Sequence, residues 1–184
     1  MTQQVLHDAE EIRTQLARMG DEIMGDGREL PALIGIHTNG PPLARRLALG
    51  LESAGHKRPD LGAIDITLYR DDLAGRALPR VLGSDIPFSV EGRRVVLVDD
   101  VLFTGRTVRA ALTVLGDYGR PRAVELAVLV DRGHRELPIC ADYTGIKLAT
   151  KRADHVRVVL QECGASQDAV VLDLPDTDNK GSQP

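Results

Sequence analysis

At 184 residues with 42% hydrophobic content, the chain can bury one substantial core, so a single domain over residues 1–174 is expected, followed by a disordered tail at 175–184. Aromatic residues make up only 3% and Trp is absent, which leaves Val, Leu, Ile and Ala to fill the interior, the usual material between a parallel sheet and its helices. A formal net charge of −4 excludes a protein that coats nucleic acid by bulk charge, while leaving room for a local basic face. Cys140 and Cys163 are the only cysteines and stand outside any CxxC or Cys/His spacing, so two reduced thiols are expected and no protein-built metal site. The first residues, MTQQVLHDAEEIR, are polar and acidic where a secretory leader is basic and then apolar, and no apolar run reaches transmembrane length. A cytoplasmic chain without a membrane span is the expectation.

Residues 8–24 carry acids early, basic residues later, and Ile12, Leu16, Met19 and Ile23 at helical spacing, which predicts a capped amphipathic helix ended by Gly25-Asp26-Gly27. Leu33–Ile36 reads as a short buried strand, followed by the loop His37-Thr38-Asn39-Gly40-Pro41-Pro42 and a helix over Leu43–Ser53. A loop between a strand and a helix can offer backbone amides to a phosphate, and it can equally be an ordinary Gly/Pro turn. Gly62–Leu73 alternates Ile64, Ile66 and Leu68 against Asp65, Thr67 and Tyr69, the pattern of an edge strand with one wet face. Residues 71–83 hold no period and mix Gly, Pro and Arg, which reads as a lid-like arm or a surface insertion.

Val95–Leu112, VVLVDDVLFTGRTVRAAL, contains the most ordered set of parts. Val95–Val98 does not alternate, as befits a central parallel strand buried on both faces. Asp99 and Asp100 end that run, at the sheet edge where open α/β folds bind ligands. Thr104-Gly105-Arg106-Thr107 then predicts a tight turn with Thr107 as helix N-cap, and Val108, Ala111, Leu112 and Leu115 form the apolar stripe of the helix. Amides and the positive end of the helix dipole converge on the turn, making an anion site. A ribose 5-phosphate suits it: the phosphate sits on the turn, and vicinal hydroxyls donate to carboxylates. The chain has neither GxxxxGK[ST] nor GxGxxG, so a P-loop and a dinucleotide fingerprint are both unsupported.

Ala123–Val130 is another apolar strand, ending in Asp131-Arg132-Gly133-His134-Arg135. Asp142–Ile146, His155–Leu160 and Val170–Leu172 read as later strands, with Lys147, Lys151 and Arg152 in a basic connection. Loops 37–41, 99–107 and 131–135 each follow a strand, so in a parallel sheet they share one edge, which is the candidate active site.

The segment Val95–Thr107 resembles the phosphoribosyl-pyrophosphate motif of type I phosphoribosyltransferases. Together with DITLYRDDL (Asp65–Leu73) and LAVLVDRGHRELPI (Leu126–Ile139) it resembles the PyrR family, bacterial pyrimidine-operon attenuators that also act as uracil phosphoribosyltransferases. The similarity runs from Val5 to Asp173. The resemblance implies an α/β fold with a twisted, mainly parallel sheet flanked by helices and a small hood subdomain over its carboxyl edge. It implies the conversion of uracil and phosphoribosyl pyrophosphate to UMP and pyrophosphate, with Mg²⁺ carried on the pyrophosphate. Asp99 and Asp100 would hold the ribose hydroxyls and offset charge on an oxocarbenium-like sugar, while Leu102, Phe103, Thr104, Gly105, Arg106 and Thr107 would grip the 5-phosphate. His37, Thr38, Asn39 and Gly40 match the pyrophosphate loop, and Arg70, Asp71 and Asp72 open the flexible arm. Asp131, Arg132, Leu137, Pro138 and Ile139 match the uracil site and hood. Arg135, Lys151 and Arg152 are the residues the resemblance leaves for leader-RNA contact, alongside UMP and UTP as effectors and a homodimer or homotetramer.

The chain also departs from the family pattern. The pyrophosphate loop is typically Lys-Thr-Arg-Gly; here it is His37-Thr38-Asn39-Gly40, which removes two fixed positive charges and leaves His37 charged only when protonated. Ala17, Asp21 and Cys140 stand where Thr, His and Arg would support RNA binding, which weakens the phosphate contacts that dominate affinity. Three functions therefore stand side by side: an enzyme that is also an attenuator, a nucleotide-sensing RNA regulator with little catalysis, and a salvage enzyme without RNA binding.

Overall fold

In the computed structural model, residues 2–25, 27–69 and 82–174 are described. Arg70, Asp71 and Asp72, most of the 71–83 arm and the 175–184 tail lie outside them.

The described chain runs β1 (Thr2–His7), α1 (Ala9–Met24), β2 (Ala32–Ile36), α2 (Gly40–Ser53), β3 (Leu61–Ile64), a 3₁₀ turn at Thr67–Tyr69, β4 (Arg94–Leu102), α3 (Arg106–Gly116), β5 (Ala123–Asp131), β6 (Tyr143–Lys147), β7 (His155–Val159), a second 3₁₀ turn at Gln161–Cys163, and β8 (Ala169–Leu174). Five strands form one parallel sheet in the order β3-β2-β4-β5-β6, with β4 at its centre. Its unalternating strands are buried on both faces, and their side chains divide by the period of two. Val96 and Val98 join Leu33, Ala127 and Leu129 under α1 and α2, whereas Val95 and Leu97 join Ala32, Ile34, Leu126 and Val128 under α3.

Each helix meets its face through the residues its pattern supplies. In α1, Ile12, Leu16, Met19 and Ile23 are buried, each contributing about 1.5–3 kcal/mol. Its N-terminus is a capping box: Asp8 accepts from the Glu10 and Glu11 amides at 2.9 and 3.0 Å, and Glu11 accepts from the Asp8 amide at 3.0 Å. In α3, Ala110 and Val114 are buried alongside Val108, Ala111 and Leu115, while Leu112 is exposed, so the apolar stripe is rotated from the expected one.

The hood takes the form of a second sheet, antiparallel in the order β1-β8-β7. Its Val156, Val158 and Val170 complete the core under α1 and α2. Strand β1 is a finding the sequence pattern did not predict. It has no apolar alternation and leaves Val5 half exposed; pairing with β8, such as Gln4 opposite Leu172, is what defines it.

Two further expectations need correction. The alternating Gly62–Leu73 segment is a strand only to Ile64. There Asp65 turns inward, accepting from the amides of Thr67, Leu82 and Gly83 at 2.8, 2.5 and 3.0 Å, and this local capping ends the strand. Thr107 is not the N-cap of α3: the helix begins at Arg106, and Gly105 occupies the cap with φ of 94°, a conformation that favours glycine.

Candidate active site

Because neighbouring strands of the main sheet are parallel, the segments following β2, β4 and β5 emerge at one edge, as the motif order requires. β4 reaches further than its neighbour: pairing with β2 ends at Val98, while pairing with β5 continues to Leu102. Asp99 and Asp100 therefore lie within the strand and not past its end, on a stretch that β2 leaves uncovered. Asp99 is buried and Asp100 half-buried.

The two acids are organised as a pair. The Asp100 amide donates to Asp99 Oδ1 at 2.9 Å, and Asp100 Oδ1 accepts from the Val101 amide at 2.8 Å. Across the cleft, Asn39 Nδ2 donates to Asp100 Oδ2 at 2.7 Å and to the Val158 carbonyl at 3.0 Å. Loop 37–40 reaches this position because its base is packed without slack. A Cβ on Gly35 would lie 2.3 Å from Pro41 N, and one on Gly40 would lie 2.4 Å from Val98 O. The loop contains a cis peptide between His37 and Thr38, and His37 N donates to the Ile64 carbonyl at 2.9 Å.

The turn after β4 is braced by the segment after β5. Glu136 and Leu137 amides both donate to the Thr104 carbonyl, at 3.0 and 3.2 Å, and the Arg132 amide donates to the Leu102 carbonyl at 3.1 Å. Leu137 and Ile139 lie against Gly105, where a Cβ would meet both at 3.4 Å, an ordinary contact distance. The first turn of α3 presents N–H groups without intrahelical acceptors, of which the Arg106 amide already donates to Thr104 Oγ1 at 3.4 Å. Above it, Glu136 joins Arg106 at 2.9 Å and also pairs with Arg152; these two arginines hold its carboxyl below the usual range.

Phe103 and Arg132 form the wall beside the acids. The Arg132 guanidinium stacks over the Phe103 ring at 4.1 Å from its centroid, and its Nη2 donates to the Lys151 and Arg152 carbonyls at 2.9 and 3.3 Å. Its buried Nε has no hydrogen-bond partner among the described residues. Burial pushes this guanidinium down from its ordinary value, against the opposing pull of Asp154. His134 meets the same ring edge-on at 6.2 Å and contacts the Thr150 carbonyl through Nε2 at 2.7 Å.

The structure thus gathers Asp99, Asp100, Asn39, the 102–107 turn, Arg132 and the 137–139 segment at one edge. It treats Arg135 differently from the expectation of an RNA-facing side chain. Arg135 points inward, donating to the Phe103, Gly133 and Ile139 carbonyls at 2.7, 3.1 and 3.0 Å and pairing with Asp131 at 2.5 Å. Lys151 and Arg152 stay exposed. Val158 also belongs to the site, and the sequence does not point to it. Val158 contributes a backbone carbonyl, which no side-chain pattern can mark.

Residues 2–163 match the phosphoribosyl transferase domain family. A bifunctional protein PyrR from Herpetosiphon aurantiacus is 51% identical over 174 residues, covering 94% of this chain and 98% of that protein. One from Deinococcus radiodurans is 50% identical over 171 residues, covering 91% and 93% respectively. In three dimensions the chain is similar to a hypoxanthine phosphoribosyltransferase of Trypanosoma cruzi, with a TM-score of 0.67 and 21% identity over 92% of this chain and 95% of the other. At that identity the likeness speaks for the fold.

Proposed function

The chain belongs to the PyrR family of phosphoribosyl transferase domain proteins, and from that premise we propose that it makes UMP from uracil and phosphoribosyl pyrophosphate and uses the same pocket to sense uridine nucleotides for pyrimidine-operon attenuation. The observation that carries the reading is the ordered pair Asp99–Asp100 on the uncovered end of β4, followed within a few residues by the glycine-capped N-terminus of α3. In the reaction, uracil N1 bonds to the anomeric carbon as the bond from that carbon to pyrophosphate breaks, and the N1 proton is lost. The two carboxylates take the ribose hydroxyls and stabilise positive charge developing on the sugar, while the turn holds the 5-phosphate. The Phe103–Arg132 stack and the 137–139 segment form the base pocket.

Mg²⁺ accompanies the pyrophosphate in this reading. Among the described residues no three His, Cys, Asp or Glu side chains gather to hold a metal. One or two carboxylates such as Asp99 and Asp100, with waters and substrate oxygens, suit an ion that arrives on its substrate. When bound it offsets charge on the departing pyrophosphate. No helix among the described residues is long and apolar enough to cross a membrane. From the family we assign the work to the cytoplasm, in a homodimer or homotetramer.

For RNA, exposed Lys151 and Arg152 are the contacts retained, and Arg135 braces the segments that follow β4 and β5. Two assays test the proposal: UMP formation from uracil and phosphoribosyl pyrophosphate with Mg²⁺, and filter binding of the chain's own pyrimidine-operon leader with and without UMP at fixed salt. Turnover together with UMP-dependent RNA binding is expected. UMP binding without turnover would overturn the enzymatic half, and UMP-independent RNA affinity the regulatory half.

A further inference from the structure

Asn39 stands at the N-cap of α2, where an Asn side chain ordinarily accepts from the helix amides, yet its side chain makes no capping bond. Instead Nδ2 spends both protons elsewhere, on Asp100 Oδ2 at 2.7 Å and on the Val158 carbonyl at 3.0 Å. Both partners can only accept once Asp100 is ionised, so the amide has one orientation in which the two contacts are satisfied. Asp100 is thereby held from two elements: its Oδ1 takes the Val101 amide of its own strand, and its Oδ2 takes Asn39 from the neighbouring loop. The chain of contacts continues through the Asp100 amide to Asp99 Oδ1.

We propose that Asn39 is a positioning residue for the ribose carboxylates, tying Asp100 to loop 37–40 on one side and to β7 of the small sheet on the other. The proposal rests on the functional reading above. Its physical content is preorganisation: a carboxylate fixed at both oxygens meets the ribose without reorienting, and one of its lone pairs is already committed to Asn39. Asn39 therefore acts through Asp100 and not on the pyrophosphate.

A double-mutant cycle on the full chain tests this, with UMP affinity measured by calorimetry for wild type, Asn39→Ala, Asp100→Ala and the double variant, each verified as folded by thermal melting. Asn39→Ala should weaken UMP binding about tenfold, the scale of one charge-assisted hydrogen bond, and should add less than about twofold once Asp100 is already Ala and offers no acceptor. Asn39→Asp, the same size without the donor, should lose at least as much as Asn39→Ala. In turnover, Asn39→Ala should raise the KM for phosphoribosyl pyrophosphate while leaving the KM for uracil unchanged, a split that a general loss of folded protein, which lowers kcat alone, does not produce. Multiplying single-variant effects, or wild-type affinity in Asn39→Asp, would overturn the proposal. Absence of UMP formation by the wild type bears on the enzymatic reading alone, because the affinity cycle does not require turnover.

Discussion

Gly40 lies directly beneath the Val98 carbonyl, so close that a methyl group in place of its hydrogen would come within 2.4 Å of that oxygen. The contact joins the start of α2 to the residue immediately before Asp99. It makes the loop after β2 and the acidic end of β4 parts of one packed unit, and Gly35 closes it from the other side.

Gly40→Ala should accordingly be costly. Backbone has to move on both sides of the contact, and overpacking of this kind costs about 1–3 kcal/mol or more. Urea unfolding should show the loss, and UMP affinity should fall with it because Asp99 moves. Gly50→Ala on the same helix, where a Cβ would meet nothing within 4 Å, should be neutral or slightly stabilising.

Burial pushes the Asp65 carboxyl up, but hydrogen bonds from Thr67, Gly83 and Leu82 outweigh it and hold the group at about 2, against an ordinary value of 3.8. A carboxylate depressed in the folded state contributes stability that is fully present above the ordinary value and is lost as pH falls through the folded one. The window is therefore pH 4 to 2, and the contribution is on the order of 2 kcal/mol. Melting temperatures measured across that window should fall more steeply for wild type than for Asp65→Asn, which has no charge to lose.

Arg135 and Lys151 should separate in their effects. Removing Arg135 leaves Asp131 without its partner and strands the Phe103, Gly133 and Ile139 carbonyls, so Arg135→Ala should cost about 2–4 kcal/mol in urea unfolding. Lys151→Ala should leave stability unchanged and reduce the salt dependence of leader-RNA binding by about one unit of slope.

The sequence carried the architecture well where burial sets the pattern. Val95–Val98 reads as a two-faced central strand because it is one, and α1 announces itself through Asp8, Glu11 and four apolar positions at helical spacing. It misled where a local hydrogen bond decides the outcome. Asp65 ends its strand by capping nearby amides, although the alternation around it continues to Leu68. It was silent where a neighbour in space defines the element: β1 exists through β8, and Val158 enters the site through a carbonyl that every residue has. Arg135 shows the same limit, since the resemblance that assigns it to RNA contact carries no sign of the carbonyls its side chain donates to.

The most direct test of the account is the steady-state formation of UMP and pyrophosphate from uracil and phosphoribosyl pyrophosphate with Mg²⁺, measured side by side for wild type and Asp100→Asn. Wild type should give equal amounts of the two products, and the variant should lose at least about 100-fold in kcat/KM with its melting temperature nearly unchanged. Wild-type turnover in Asp100→Asn would contradict it.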